Sequence, residues 1–296
     1  MTLRQRLEHA FRAAPANATE TIGDWAALAT ARGPREENQE RAFIATMPET
    51  TSGRPAFLVA AVLDGIGGME RGGLAASLAA TVFLHTILET PDLAAAPLFS
   101  HAIEAANAAV HRRLHGRGGT TLTALGLSSD GEGLIVHAGD SRAYRHAAQS
   151  RLDQLTVDDT LAGMLGLDGD GLLDTGLMQF VGLGDSFLFQ SILLGPASDS
   201  TVLALTDGAY FIGPATLRQI HDTNVDVGDI ARSTLAAAIA MDTRDNATVV
   251  VTRPDAANLV RSAPPVARSR TFALPTTLRG NRTATGVNAI SLRRSP

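Results

Sequence analysis

The sequence predicts an α+β fold. Many short apolar segments bounded by turn residues indicate β-strands, and two longer segments repeat their apolar residues every three or four positions, as helices do. Hydrophobic residues make up 45% of the 296 residues, whereas aromatic residues make up only 4%. We therefore expect a large core built mainly from Ala, Leu, Val and Ile.

The first half of the chain begins with a short helix, in which Leu3, Leu7 and Phe11 share one face. Strands are predicted at residues 25–30, 42–46 and 56–63, and the first two of these flank a polar loop. The third is an unbroken apolar run that Asp64 ends, as expected for a strand buried on both faces. Two packing helices follow, predicted at residues 72–88 and 98–114.

The second half is mostly β-structure. Four short strands separated by turn signals predict an antiparallel meander at residues 120–127, 133–138, 142–146 and 152–155. Residues 157–186 are rich in Gly and Asp, and we expect an irregular flap there. The remaining elements are a strand at 202–205, two helices at 214–221 and 227–241, and a last strand at 247–252.

We divide the chain into a helical N-terminal extension (1–21), one domain (22–254) and a C-terminal tail (255–296). The tail is rich in Pro, Ser, Thr and Arg without periodicity, which predicts disorder. It carries seven arginines against Asp255 alone, a net charge of +6, which leaves −11 for the rest of a chain whose net charge is −5. A solvated linker and an interaction segment for an acidic partner or membrane surface both fit this composition.

Composition excludes several kinds of chemistry. The chain has no Cys, so it has no disulfide, thiolate metal site or cysteine nucleophile, and it has no Lys, so Schiff-base and P-loop chemistry are excluded. The low aromatic content argues against nucleic acid as a partner. His111 and His115 have the spacing of a zinc pair, but no Glu follows His111, and solvated surface histidines fit better. The glycines after Asp64 do not match a dinucleotide loop, because Glu70 occupies the third glycine position.

Neither a membrane span nor a secretory signal is predicted. No run of about 18 apolar residues occurs, and Arg4, Glu8 and Arg12 interrupt the N-terminal segment. We therefore expect an intracellular, cytoplasmic protein.

Four aspartates share one design, since each stands at the end or the start of an apolar strand with Gly, Ser or Asn beside it: Asp64, Asp140, Asp207 and Asp245. Taken alone, Asp64 could equally cap the next helix. Four buried carboxylates are costly unless they share cations, and carboxylate ligands without Cys favour Mg²⁺ or Mn²⁺ over zinc. The pattern predicts metal-assisted hydrolysis of a phosphate ester. A Ser141 nucleophile is disfavoured because no His stands in a supporting motif.

Seven motifs, in order, resemble those of the metal-dependent protein phosphatases (PPM, or type 2C, Ser/Thr phosphatases), especially the bacterial members. They span roughly residues 22–253 and are REENQE at 35–40, VLDGIGG at 62–68, GGTT at 118–121, HAGDSRAY at 137–144, QLTVDD at 154–159, ALTDGAYF at 204–211 and DNATVVV at 245–251. This resemblance implies a four-layer αββα sandwich, in which two antiparallel sheets face each other between outer helices and the metals lie at one edge.

The resemblance also implies roles for individual residues. Asp64 matches the carboxylate that bridges two Mn²⁺ or Mg²⁺ ions, and the carbonyl of Gly65 matches a ligand of one of them. Asp207 and Asp245 match ligands of the second ion, and Asp140 with Asp207 matches a third, weaker site. Arg35 matches the arginine that binds the substrate phosphate, as suits a planar bidentate donor. The implied activity is hydrolysis of phosphoserine and phosphothreonine in substrates of a Ser/Thr kinase, by attack of a metal-bridging hydroxide.

The chain departs from the family pattern at three of these motifs. Glu40 replaces the usual Asp and is one methylene longer, although it could still reach a metal-bound water. Ile66 stands where other members have Met or His, so protonation of the leaving group falls to water. Asp159 replaces a usual His. The flap at residues 160–186 is also short and lacks the family's typical sequence. Glu40 and this flap leave a second hypothesis open, that of a pseudophosphatase that binds phosphoproteins or other partners without turnover.

Overall fold

The computed structural model describes residues 1–12, 14–47, 49, 55–66, 71–90, 93–147, 151–166, 176–194 and 200–253, and the short stretches 271–273, 289–291 and 293–295. Its helices are α1 (Leu3–Ala10), α2 (Gly72–Glu89), α3 (Ala95–Leu114), α4 (Leu161–Met164), α5 (Asp207–Tyr210), α6 (Gly213–Thr223) and α7 (Val227–Ala240).

Two six-stranded sheets form the centre of the molecule. The first has the spatial order β1 (Asn17–Ile22), β2 (Ala26–Ala31), β11 (Ala247–Thr252), β10 (Thr201–Leu205), β7 (Arg142–Ala147) and β8 (Arg151–Gln154). The second has the order β13 (Ala289–Ser291), β3 (Arg41–Met47), β4 (Phe57–Leu63), β5 (Leu122–Ser128), β6 (Gly133–Ala138) and β9 (Gln190–Leu194). Neighbouring strands are antiparallel except β13, which runs parallel to β3.

The core is divided into three apolar layers. The middle layer lies between the sheets and includes Leu28 and Val250 from the first sheet and Ile44 and Leu58 from the second. The layer on the outer face of the second sheet joins it to α1, α2 and α3, and the layer on the outer face of the first sheet joins it to α5, α6 and α7. Helix, sheet, sheet and helix therefore stack in that order, and the predicted α+β sandwich is confirmed.

The predicted meander is wrong in one respect. Strands β5 and β6 form a hairpin in the second sheet, whereas β7 and β8 form a hairpin in the first sheet. The chain crosses between the sheets at Gly139, Asp140 and Ser141. The sequence pattern identifies each strand but does not identify its partner, because alternation and turn signals are local.

Two strands that precede the predicted tail were not predicted. Strand β1 has the polar sequence NATETI and lies at an edge of its sheet, where among its residues only Ala18 is buried. Strand β9 follows the segment expected to be a flap and also forms a sheet edge. Edge strands have fewer buried positions, so their apolar pattern is weaker than that of a central strand.

The N-terminal residues pack closely against the domain. Leu7 and Phe11 are fully buried against the second sheet and α2, and β1 includes residues on both sides of the predicted boundary at 21/22. Three short strands lie within the predicted tail, namely β12 (Thr271–Ala273), β13 and β14 (Arg293–Ser295), and most of that tail lies outside the described residues. The division into domains stays a prediction.

Helix α2 is long and apolar enough to cross a membrane by length and composition alone, and it is the one such helix in the described part of the chain. In the fold, 72% of it is buried. Its residues Ala76, Ala80, Phe83 and Leu84 pack in the outer layer against α1, α3 and the second sheet. Helix α2 is therefore a core helix of the sandwich.

Candidate metal centre

Strand ends bring carboxylates from both sheets to one edge of the sandwich. Arg41 pairs with Leu63 in the β3–β4 ladder, so Glu40 and Asp64 are neighbours at the same end of the second sheet. In the first sheet, β10 ends just before Asp207 and the antiparallel β11 begins just after Asp245 and Asn246. The two ends face each other across the interface between the sheets.

Three of these side chains form a compact cluster. One carboxylate oxygen each from Glu40, Asp64 and Asp207 lies within 4.8 Å of the other two, and no other such cluster of His, Asp or Glu occurs among the described residues. Three carboxylates this close repel one another unless they hold protons or share a cation. Oxygen ligands of this kind suit hard divalent cations such as Mg²⁺ and Mn²⁺.

Glu40 is the most buried member of the cluster, with 1% of its surface exposed. Its Oε2 accepts a hydrogen bond from Thr248 Oγ1, which in turn contacts Thr30 Oγ1 at 2.7 Å. Its Oε1 is buried and has no hydrogen-bond partner. Burial, and then the charge of Asp207, raises the pKa of Glu40 to about 8 against the opposing effect of the Thr248 hydrogen bond. An unpartnered buried carboxylate oxygen beside two other carboxylates fits a position that faces a cation.

The pKa values of the other two members of the cluster are also raised. Burial raises the pKa of Asp64 well above its usual range, and the charges of Glu40, Asp207 and Asp140 add to this effect. Burial and Asp245 likewise raise the pKa of Asp207, while a hydrogen bond with Asp64 opposes the rise. Carboxyl groups in such a cluster hold protons at neutral pH until a positive charge displaces them.

Asp140 lies at the crossing between the sheets. Gly139 has φ of 116°, and a Cβ there would lie 2.7 Å from Thr121 Cβ, so only glycine fits. Ser141 Oγ is 2.7 Å from Thr121 Oγ1, which accepts a hydrogen bond from the Asp64 amide at 2.9 Å. Thr121 thus joins the backbones that carry Asp64 and Asp140. Burial, and then the charge of Asp207, raises the pKa of Asp140 to about 7.

Gly65 makes a close backbone approach at the start of α2. A Cβ on Gly65 would lie 2.3 Å from the carbonyl carbon of Gly72, so any larger residue would push the two segments apart. The carbonyl of Asp64 accepts hydrogen bonds from Thr120 Oγ1 and the Thr121 amide, both at 2.8 Å. Gly67 and Gly68, which we expect to leave room for a phosphate, lie outside the described residues.

Arg35 lies at the mouth of the site, with half of its side chain exposed. Its Nε donates to the carbonyl of Arg244 at 2.9 Å, and its Nη2 donates to Asp245 Oδ2 at 2.5 Å. Asn246 holds the loop that carries Arg35, because its Nδ2 donates to the carbonyls of Arg32 and Glu37 and its Oδ1 accepts from the Gln39 amide. The guanidinium is therefore positioned by the same loop that supplies Asp245.

These residues surround an open cavity of about 710 Å³. Six of the seven predicted site residues line it, namely Arg35, Asp64, Gly65, Asp140, Asp207 and Asp245. The seventh, Glu40, is the buried member of the carboxylate cluster. Residues that sequence reasoning did not assign to the site also contribute, in particular Thr121 and Asn246 on its wall and Thr248 behind Glu40. The motifs GGTT and DNATVVV contain all three, but a motif alone does not show which member faces the site.

Arg142 contributes to the fold beside the site. We predict a structural ion pair near Asp140, and the partner is Asp158, which Arg142 contacts through Nε at 2.9 Å and Nη2 at 2.7 Å. The guanidinium also lies 4.1 Å from the centroid of the Tyr210 ring. Asp159 accepts a hydrogen bond from the Gly139 amide at 2.9 Å, which holds the loop before Asp140.

The histidine pair on α3 does not form a metal site with other described residues. His111 Nδ1 lies 3.1 Å from the carbonyl of Gly182, and His115 is exposed in a left-handed conformation after the helix end.

Comparison with solved structures identifies the fold. The Mycobacterium tuberculosis serine/threonine phosphatase PstP/Ppp superposes with a TM-score of 0.65 at 22% identity over 80% of this chain and 99% of that chain. The PPM Ser-Thr phosphatase MsPP from Mycobacterium smegmatis, solved with cacodylate, has a TM-score of 0.63 at 27% identity over 77% and 97%. The catalytic domain of PstP in complex with two manganese ions has a TM-score of 0.63 at 23% identity over 80% and 98%.

No family model matches the sequence, and no curated protein matches it either. The structural likeness nevertheless defines the class: the chain has the fold of the bacterial metal-dependent protein phosphatases, the PPM family. The resemblance that the seven sequence motifs indicate is thereby confirmed.

Proposed function

We propose that this protein is a metal-dependent serine/threonine protein phosphatase. The observation that carries the proposal is the cluster of Glu40, Asp64 and Asp207, whose carboxylate oxygens lie within 4.8 Å of one another beside an arginine at the mouth of an open cavity. Neighbours of the same fold are Ser/Thr phosphatases, and one of them was solved with two manganese ions. The substrates would be phosphoproteins modified by a Ser/Thr kinase, and we propose that the protein acts in the cytoplasm.

Asp64, Asp207, Asp245 and the Gly65 carbonyl would hold two Mn²⁺ or Mg²⁺ ions, Glu40 would contact this group from below, and Asp140 with Asp207 would hold a third, weaker ion. Bound cations supply the positive charge that makes a water acidic and offsets charge on the phosphoryl oxygens. The raised pKa values of Glu40, Asp64 and Asp207 mean that these groups release protons when a cation binds.

Arg35 would bind the phosphoryl group. Its Nε and Nη2 donate hydrogen bonds to the Arg244 carbonyl and to Asp245, which hold the guanidinium at the wall of the cavity. The overall reaction adds water to a phosphate monoester and yields inorganic phosphate and the Ser or Thr hydroxyl. Ile66 lines the cavity and has no ionisable proton, so we expect water to protonate the leaving alkoxide.

The proposal is tested by manganese-dependent hydrolysis of p-nitrophenyl phosphate and of a phosphothreonine peptide. We expect activity that a chelator abolishes and that Asp64→Asn or Asp207→Asn lowers at least 100-fold, in line with loss of a metal ligand. Asp229→Asn, an exposed acid on α7, is the matched control and should behave as wild type. Calorimetric titration with Mn²⁺ provides a readout apart from turnover. A folded wild-type protein that binds manganese without hydrolysing either substrate would contradict the proposal.

A pseudophosphatase is the second candidate, and Glu40 is the observation that favours it. One of its carboxylate oxygens accepts a hydrogen bond from Thr248, and its side chain is one methylene longer than the aspartate usual in the family. Such a protein would bind a phosphothreonine peptide with measurable affinity and release no phosphate. Peptide binding measured together with turnover on the same sample separates the two candidates.

A further inference from the structure

We propose that an arginine-lined groove beside the metal centre binds an acidic segment of the phosphoprotein substrate, next to the residue that is dephosphorylated. The groove consists of two adjoining cavities between α1, α2 and the end of α3, of about 510 and about 220 Å³. This inference rests on the proposed function for its substrate class, but the binding surface is tested separately below.

The groove adjoins the cavity of the metal centre. Glu37 lines both the 710 Å³ cavity and the larger groove cavity, and Arg113 lines both groove cavities. The backbones of Gly65 and Gly72 are in close contact, and Arg71 directly precedes Gly72 in the chain. Arg71 therefore lies near the segment of the metal centre that contains Gly65. A peptide whose phosphoresidue occupies the catalytic cavity can therefore continue past Glu37 into the groove.

Basic residues predominate in the walls of the groove. The larger cavity is lined by Arg4, Arg12, Arg41 and Arg113 together with Glu8 and Glu37, and Glu8 forms an ion pair with Arg4. The smaller cavity is lined by Arg71, Arg113 and Arg117. The guanidinium groups of Arg12, Arg71, Arg113 and Arg117 are exposed and form no ion pair with any described carboxylate.

Buried Arg41 provides a fixed positive charge at the base of the groove. Its guanidinium donates to the carbonyls of Phe11, Asn38 and Glu40 rather than to a carboxylate. The cavity floor also includes Leu74 and Leu78, which can contact the apolar parts of a peptide. Arginines in the last turn of a helix can stabilise it through the helix dipole, which would explain Arg112 and Arg113 in α3. It would not explain Arg12, Arg71 and Arg117, because these residues lie outside that helix.

The distribution of charge over the chain indicates which kind of ligand the groove binds. Outside the predicted tail the chain carries a net charge of −11, so a surface with several unpaired arginines differs in sign from the rest of this part of the chain. The tail itself is basic and does not complement the groove. Among the described residues, no Phe, Tyr or Trp lines either groove cavity, so nucleobases would find no aromatic side chain there on which to stack. A peptide segment rich in Asp and Glu fits both the charge and the position beside the cavity of the metal centre.

The experiment measures fluorescence anisotropy of a labelled, unphosphorylated Asp/Glu-rich peptide added to the full-length protein. We expect binding that weakens as salt rises and weakens about fivefold or more in the double variant Arg113→Gln/Arg117→Gln. The matched control is Arg218→Gln/Arg232→Gln, which removes the same charge from exposed positions on α6 and α7. Thermal unfolding and circular dichroism establish that both variants are folded.

The second measurement compares two phosphothreonine peptides that differ only in an acidic or a neutral flank. The ratio of their kcat/KM values should favour the acidic flank in the wild type and the control, and should fall toward one in the groove variant. Failure of the proposed function abolishes turnover but leaves the anisotropy result intact. Absence of acidic-peptide binding, equal weakening in both double variants, or binding of single-stranded DNA in place of the peptide would overturn the groove assignment.

Discussion

Thr248 of the first sheet donates its hydroxyl proton to Oε2 of Glu40, which precedes β3 of the second sheet. The bond joins the two halves of the sandwich directly beneath the carboxylate cluster. Asn38 and Thr30 extend it, because Asn38 Nδ2 donates to Thr30 Oγ1 at 2.9 Å and Thr30 contacts Thr248. Hydroxyl groups on buried strands thus orient the side chain on which the cluster depends.

Thr248→Val should weaken Mn²⁺ binding about tenfold at pH 7, because loss of an outer hydrogen-bond partner raises the pKa of Glu40 further and frees its orientation. The loss should be smaller at pH 8.5, where a larger fraction of Glu40 is ionised in both proteins than at pH 7. Calorimetric titration at the two pH values measures this difference. Thr248→Ser keeps the hydroxyl and should bind as wild type; equal affinities for the valine and serine variants would show that the bond has no such role.

Asn246→Ala should raise KM for phosphopeptides about tenfold, with a smaller effect on kcat, because the loop that carries Arg35 loses three hydrogen bonds. The same change should lower the free energy of unfolding by about 2 kcal/mol, since two carbonyls and an amide lose their partner. Steady-state kinetics and urea unfolding test both effects. A decrease in stability with KM unchanged would mean that the loop does not position the arginine.

Gly65→Ala should destabilise the protein by about 1–3 kcal/mol, because the added Cβ overlaps the backbone of Gly72. It should also weaken manganese binding, since the carbonyl of residue 65 must move. Gly73→Ala is the matched control: its Cβ would meet its nearest neighbour at 3.5 Å, an ordinary contact, and alanine favours the helix. In thermal unfolding we expect the control variant to be as stable as the wild type or slightly more stable. A Gly65→Ala variant with wild-type stability would contradict the close approach of the Gly65 and Gly72 backbones.

The metal-free protein should lose stability as pH rises from 6.5 to 8. The folded state keeps the proton on Glu40, whose pKa is raised from 4.5 to about 8, whereas the unfolded state releases it, so a higher pH favours unfolding. The expected decrease is about 1 to 2 kcal/mol over this window. Buried His137 and His221, whose pKa values are lowered to about 4, act in the opposite direction, but chiefly below pH 6.5.

Urea unfolding in the presence of a chelator at several pH values measures this dependence. Glu40→Gln removes one titrating group and should make the decline shallower, although the raised pKa values of Asp64, Asp140 and Asp207 act in the same direction and preserve part of it. Mn²⁺ should stabilise the wild type more at pH 8 than at pH 6.5. A wild type whose stability is constant over the window would show that Glu40 is ionised in the folded protein without metal.

Most of the acids that line the cavity could be predicted from sequence because they stand abruptly at the ends of apolar strands. Asp64 follows seven buried residues and Asp207 follows β10, and a charge at such a place is a strong local signal. The role of Thr248 could not be predicted, because a threonine in a strand is common and its partner is distant in sequence. The same reason explains why the predicted meander is wrong. The sequence pattern predicts β6 and β7 but does not show that they lie in different sheets.

The weakest predictions concern the surfaces around the site. Strand β1 was missed because its polar sequence resembles a loop, and β9 because a glycine-rich stretch precedes it. The groove arginines are scattered over four separate segments of the chain, so only the packing of α1 against α2 and of α2 against α3 brings them together.

The crossing at Gly139, Asp140 and Ser141 has a mechanical consequence. Glu40 and Asp64 belong to one sheet, Asp207 and Asp245 to the other, and Asp140 to the segment that connects them. Any sliding of one sheet over the other would change the separations within this set of oxygens. A cation bound by residues of both sheets would therefore oppose sliding of one sheet over the other. The hydrogen bonds within each sheet would be unaffected.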